Sequence, residues 1–99
     1  MLIYEVTATV DTKLAADYEQ YMTEQHIPEL LATGYFAAAF FAKNGGQYRI
    51  GYHADSQELF DAYIANEAER LREDFAKQVP TGIEVSRQVL GIVRLFSTP

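Results

Sequence analysis

The chain contains no cysteine and no tryptophan, and only two histidines, two methionines and three prolines in 99 residues. Without cysteine there is no disulfide, no thiolate metal site and no thiol nucleophile. No run of apolar residues approaches the ~20 needed to span a bilayer. The first residues, Met1-Leu2-Ile3-Tyr4-Glu5, lack a basic n-region and reach a charge at position 5, so they do not form a signal peptide. Basic residues are scarce too: eight against fourteen acids, a net charge of −6. Such a chain repels phosphate backbones and offers no basic stripe, so nucleic acid is not an expected partner. His26 and His53 stand apart, with no His-x-x-x-His pair or converging carboxylates, and no metal or other cofactor is expected. Asn44-Gly45-Gly46-Gln47 links two strands instead of opening a helix, so it is not a phosphate loop. Ser56, Ser86 and Ser97 lack the Gly-x-Ser-x-Gly frame of a nucleophile elbow. The simplest location for this acidic, thiol-free chain is the cytoplasm.

What is present is an ordinary apolar fraction, 48%, in a length that suits one domain over 1–99. Residues 2 to 10 alternate, with Leu2, Tyr4, Val6, Ala8 and Val10 on one side: a strand with one buried face. Asp11 and Thr12 supply cap chemistry, and the period then becomes helical. Leu14, Tyr18, Tyr21, Met22 and Gln25 or His26 share one helix face, while Asp17, Glu19, Gln20 and Glu24 face water. Pro28 disfavours helical geometry at Ile27, so a break is expected there, followed by a short turn to Ala32 that starts on the proline. Tyr35 to Ala42 is a strand apolar on both faces, and Asn44-Gly45-Gly46 a hairpin turn. Gln47 to Ala54 alternates again. Asp55-Ser56 caps a second helix with the stripe Leu59, Phe60, Tyr63, Ile64, Ala68, Leu71, Phe75 and Val79, stopped by Pro80-Thr81-Gly82. Ile83 to Phe96 reads as a long last strand, bulged where its apolar parity shifts at Val89-Leu90.

The order β-α-β-β-α-β with right-handed crossovers specifies an α+β, ferredoxin-like sandwich. Its four-stranded antiparallel sheet has the order 4-1-3-2 and carries both helices on one face. The other face would bare parts of Tyr35 to Phe41 with Leu90 and Ile92. A bare apolar sheet on so small a protomer calls for a partner, and a two-fold homodimer through that face is the expectation.

Tyr18, Met22, His26 and Arg87 are the candidate site residues. At a helix end His26 could bond orphan carbonyls, with the dipole favouring its charged form; its functional role would be acid–base work or ligand donation at the cleft mouth. Arg87, between Val85 and Val89, needs a carboxylate partner or an anionic or carbonyl-bearing ligand. If Arg87 lies opposite Thr7 it stands ~13 Å above the strand end. Tyr18 is ~12 Å up the helix from His26 and so level with Arg87, while His26 is not. Tyr18, Tyr21 and Met22 also suit a core, in which a tyrosine hydroxyl would want a partner such as Arg87. His53 belongs to the polar side of its strand, at the surface or a dimer interface. Arg72 is expected in solvent or at a cap, with reach into the cleft as the lesser alternative.

The stretch from Gln25 to Phe36, QHIPELLATGYF, resembles the signature of an uncharacterised bacterial domain-of-unknown-function family in the dimeric α/β-barrel superfamily. That signature runs Trp-x-x-Trp-Met-x-x-x-His-Ile-Pro and then Leu-Ala-Thr-Gly-x-Phe. Tyr18 and Tyr21 stand at its tryptophan positions, and Met22, His26, Ile27 and Pro28 match. The departures are the short hairpin, the Val79-to-Glu84 connection, and Glu67 where a histidine is common. The resemblance implies a dimeric α/β barrel and no assigned chemistry. The leading expectation is a homodimer that binds a small, partly aromatic molecule between helices and sheet. The alternatives are a cofactor-independent monooxygenase- or isomerase-like enzyme, as in similar-looking superfamily members, with His26 as acid or base, and a pure dimerisation or interaction module.

Overall fold

The computed structural model describes residues 1–79 and 81–99. Strand β1, Leu2–Val10, is followed by a 3-10 turn at Thr12–Leu14, helix α1, Ala15–Tyr21, a π-helical turn at Met22–His26 and helix α2, Ile27–Ala32. Strands β2, Ala38–Asn44, and β3, Gln47–Ala54, form a hairpin. Helix α3, Gln57–Tyr63, a second π turn at Ile64–Ala68, and helix α4, Glu69–Gln78, lead to strand β4, Ile83–Gly91. The strands form one antiparallel sheet in the order β2-β3-β1-β4, the expected 4-1-3-2 arrangement. The architecture is ferredoxin-like, with α1–α2 and α3–α4 acting as the two helices of the fold.

Alternation places Leu2, Tyr4, Ala8 and Val10 of β1 and Tyr48, Ile50, Tyr52 and Ala54 of β3 under the helices, all buried. Tyr18, Met22 and Leu30 come down on them from the first helical layer, and Phe60, Tyr63, Ala68 and Leu71 from the second. Asp11 caps the 3-10 turn, accepting from the Lys13 amide at 3.2 Å, and the Ser56 hydroxyl accepts from the Leu59 amide at 3.2 Å. The two-residue hairpin turn has Gly45 at φ +61, a conformation that a side chain resists.

Four expectations are corrected. The first helix does not break before Pro28: His26 and Ile27 keep right-handed helical angles, and the chain continues to Ala32. The π turn explains this. It replaces i→i−4 bonds by wider ones, such as the Ile27 amide to the Met22 carbonyl, so the amide that Pro28 lacks falls where the bonding pattern is already shifted. The second π turn shifts the phase of the other helix in the same way and leaves Ile64 exposed, although Ala68 and Leu71 beyond it are buried. The last strand carries no bulge. It pairs residue by residue with β1 from Ile83–Val10 to Gly91–Leu2. The parity change arises because Val85 and Val89 face the helices while Leu90 faces the opposite side. Beyond Gly91 the chain leaves the sheet, and Val93, Leu95 and Phe96 are exposed. The strand predicted from Tyr35 begins later, at Ala38, after Phe36 has entered the core. Pro80, read from sequence as part of the helix stop, lies outside the described residues.

The sheet face away from the helices carries Ile3, Phe40, His53 and Leu90 around one carboxylate, Glu5. Gln88 Nε2 donates to Glu5 Oε1 at 2.7 Å, Arg49 Nη1 stands 3.5 Å from it, and Glu5 is buried between them. The Phe40 ring lies flat on Gly51, where a Cβ would come within 2.1 Å of its Cε2. Phe40 and Leu90 are nevertheless exposed.

Candidate functional site

The helix-facing side of β1, β3 and β4, the first π turn and α4 enclose a narrow cavity. Tyr18, Met22, His26 and Arg87 all line it. Its free volume is about 30 Å³, or about 410 Å³ counting the open mouth. The enclosed part therefore holds a water or two, or one small functional group. Arg72 and Arg87 line it while remaining exposed along much of their length, which places its mouth at the guanidinium end.

Arg87 pairs with Val6, not Thr7, and therefore projects on the helix side of the edge strand. His26 and Arg87 both line the cavity, and the charge of Arg87 is felt at the imidazole, with no hydrogen bond between them among the described residues. His26 is also not a cap. The helix continues past it, so it meets neither free carbonyls nor a helix end. Its Nδ1 stands 3.5 Å from the Tyr21 hydroxyl, and its ring packs against Tyr21 and Phe75 at centroid distances of 5.8 and 5.1 Å. Burial and then the Arg87 charge lower the His26 pKa from 6.5 to about 4, only partly opposed by Asp74. The imidazole is neutral at pH 7.

The cavity also draws on residues that sequence reasoning had assigned elsewhere or passed over. Arg72, expected in solvent, donates from Nη2 to the Tyr4 hydroxyl at 3.3 Å and reaches the cavity. Tyr4, Tyr52, Tyr63 and Phe75 complete an aromatic wall; alternation and helical period identified them only as core. Tyr18, Tyr52 and Tyr63 are almost wholly buried, and among the described residues their hydroxyls form no hydrogen bond with protein. No buried side-chain nitrogen or oxygen among those residues is stranded, and all three tyrosines line the cavity. Burial pushes all three well above the usual tyrosine range; at Tyr63 the charges of Arg72 and Arg87 partly oppose it. All three remain protonated donors. A second hollow, of about 150 Å³, lies between α1 and the start of β4 and shares Tyr18 with the first.

The family model for a domain of unknown function, DUF4286, matches residues 1–93. The chain belongs to this family. No curated protein matches it. Among solved structures, this DUF4286 protein is similar to a mutant of MhuD with two manganese protoporphyrin IX molecules bound per active site: 17% identity, TM-score 0.72, covering 99% of this chain and 100% of that one. It is also similar to Rv0793 from Mycobacterium tuberculosis, at 12% identity and TM-score 0.64 over 98% and 100% of the two chains. A dimeric ferredoxin-like protein from an uncultured marine organism matches at 11% identity and TM-score 0.59 over 99% and 100%. At these identities the likeness establishes the fold of the DUF4286 chain, and its chemistry has to be argued from its own side chains.

No group of three or more His, Cys, Asp or Glu among the described residues could hold a metal ion. No helix among them is long and apolar enough to cross a membrane.

Proposed function

We propose that this DUF4286 chain, acting as one domain over 1–99, is a homodimeric binding protein for a small, partly aromatic molecule held between helices and sheet. The carrying observation is that three nearly buried tyrosines, whose hydroxyls form no hydrogen bond among the described residues, line a cavity shared with Met22, His26 and Arg87. A filled core would leave no reason to turn three hydroxyls into one void, since each would forfeit a hydrogen bond. Dimerisation is supported by Phe40 and Leu90, exposed on the open sheet face, and by the exposed Val93, Leu95 and Phe96 beyond it. The proposed setting is the cytoplasm, the simplest for an acidic chain without cysteine.

A second reading, a small cofactor-independent enzyme with His26 as base, has one observation in its favour: a neutral imidazole on the cavity wall. A base whose conjugate acid has a pKa of about 4 is weak at pH 7, where general bases work best with a pKa near the operating pH. Binding is accordingly the preferred reading. Native mass spectrometry of the protein purified from its own host tests it. A dimer carrying a small-molecule adduct, lost in His26→Phe or Tyr18→Leu, is the expected result. A bare monomer would refute the proposal, and a bare dimer would leave only the interaction module.

A further inference from the structure

We infer that the cavity takes the carboxylate end of a small aromatic acid, with Arg72 and Arg87 as its anion-binding pair. This rests on the cavity being a ligand site, as proposed above, and goes on to assign the ligand's charge and its direction of entry.

The charge argument is one of contrast. The chain carries a net charge of −6, and three of its eight cations are held by carboxylates. Lys43 meets Glu19 at 2.9 Å, Arg49 stands 3.5 Å from Glu5, and Arg70 meets Glu67 at 2.6 Å and Asp74 at 3.7 Å. Arg72 and Arg87 form no ion pair among the described residues, yet both converge on one cavity. The charges of both are felt at the Tyr63 hydroxyl, which faces the same space. No carboxylate lines that cavity. In an acidic protein, two unneutralised guanidinium groups at the mouth of a cleft make a local positive focus that attracts an anion.

The shape argument selects the anion. The enclosed space of about 30 Å³ holds a flat carboxylate more readily than a tetrahedral phosphate. A guanidinium offers a carboxylate two parallel N–H donors, and Tyr63 and Tyr18 supply further O–H donors. The enclosed space has room for the carboxylate alone, so the aromatic body stays in the open mouth, within the wider 410 Å³. His26, uncharged, adds an acceptor or donor without a competing charge.

The experiment is a titration of the intact protein with benzoate, benzamide and inorganic phosphate, observed at the Met22 methyl by NMR. The chain has only Met1 and Met22, so the assignment is direct. Benzoate is expected to shift Met22 saturably and benzamide to bind at least about tenfold more weakly, as fits loss of a charge-assisted hydrogen bond. Arg87→Gln and Arg72→Gln should each weaken benzoate by about tenfold or more, while Arg70→Gln, on the outer face of α4, should not. Arg87 makes no hydrogen bond within the described protein, so its replacement leaves the fold intact and keeps the test decisive. Equal binding of benzoate and benzamide, indifferent to both arginine variants, would overturn the anion assignment and leave the cavity as a neutral-ligand site. Phosphate binding as tightly as benzoate would overturn the carboxylate choice. A Met22 methyl unmoved by all three probes would overturn this inference and the binding function together.

Discussion

His26 makes the stability of the fold depend on pH in a window set by its burial. In the unfolded chain its pKa is 6.5; in the folded protein burial among Tyr21 and Phe75, together with the Arg87 charge, lowers it to about 4. Between those values the unfolded state binds the extra proton, so folding stability is fully present above about pH 6.5 and is lost as pH falls toward 4. At 1.36 kcal/mol for each tenfold change in proton affinity, the loss at this residue is about 2 kcal/mol by pH 5 and about 3 kcal/mol by pH 4. That is a large part of the stability expected of a domain this size. Asp74, the carboxylate acting on His26, opposes the shift and so trims the loss. The assay is urea unfolding of the wild type and His26→Gln at pH 7, 6, 5 and 4. Carboxylate titrations common to both proteins cancel in the difference. The variant should lose about 2 kcal/mol less than the wild type between pH 7 and pH 5. A difference that stays flat over that interval, or an NMR titration of His26 with a midpoint above 6, would refute the account of a desolvated neutral imidazole.

Leu71→Ala removes a side chain that is 1% exposed beside the cavity, and urea unfolding should show a loss of about 2–5 kcal/mol. Gly51→Ala drives a Cβ into the Phe40 ring and should lower the thermal midpoint, while the double variant with Phe40→Ala recovers most of the loss; no recovery would mean the strain lies in the backbone. Phe40→Asp with Leu90→Lys places charges on the open sheet face and should turn the proposed dimer into a folded monomer by sedimentation, with unchanged far-ultraviolet circular dichroism.

The sheet was legible because its information is local. Alternation in Leu2–Val10 and Gln47–Ala54, a Gly-Gly turn, and two cap residues determine strands, order and facing without reference to distant groups. Tyr18, Met22, His26 and Arg87 could be singled out from helical period and the cost of burying charge, and all four line one cavity. What sequence could not supply was the widened helical turn. Pro28 is a strong local signal for a break, and only the pairing of Ile27 with Met22 shows how the helix continues through it. The facing partner of Arg87 was misjudged by one residue of strand register, Val6 in place of Thr7. Arg72 and the hydroxyls of Tyr52 and Tyr63 were illegible as site groups because their residue types and spacing are equally those of a solvated helix face and a core. Their role depends on which way an atom at the end of a long side chain points.

The two widened turns, Met22–His26 and Ile64–Ala68, divide each helical layer into halves that are rotated against one another. An ordinary helix has one angular setting for its whole length, so an insertion or deletion re-aims everything beyond it. Here the wider bonding of each joint gives the half beyond it an angular setting of its own. The side chains that reach the cavity from beyond the joints, Leu30 and Leu71 among them, are thereby aimed independently of those before them, over the same four strands.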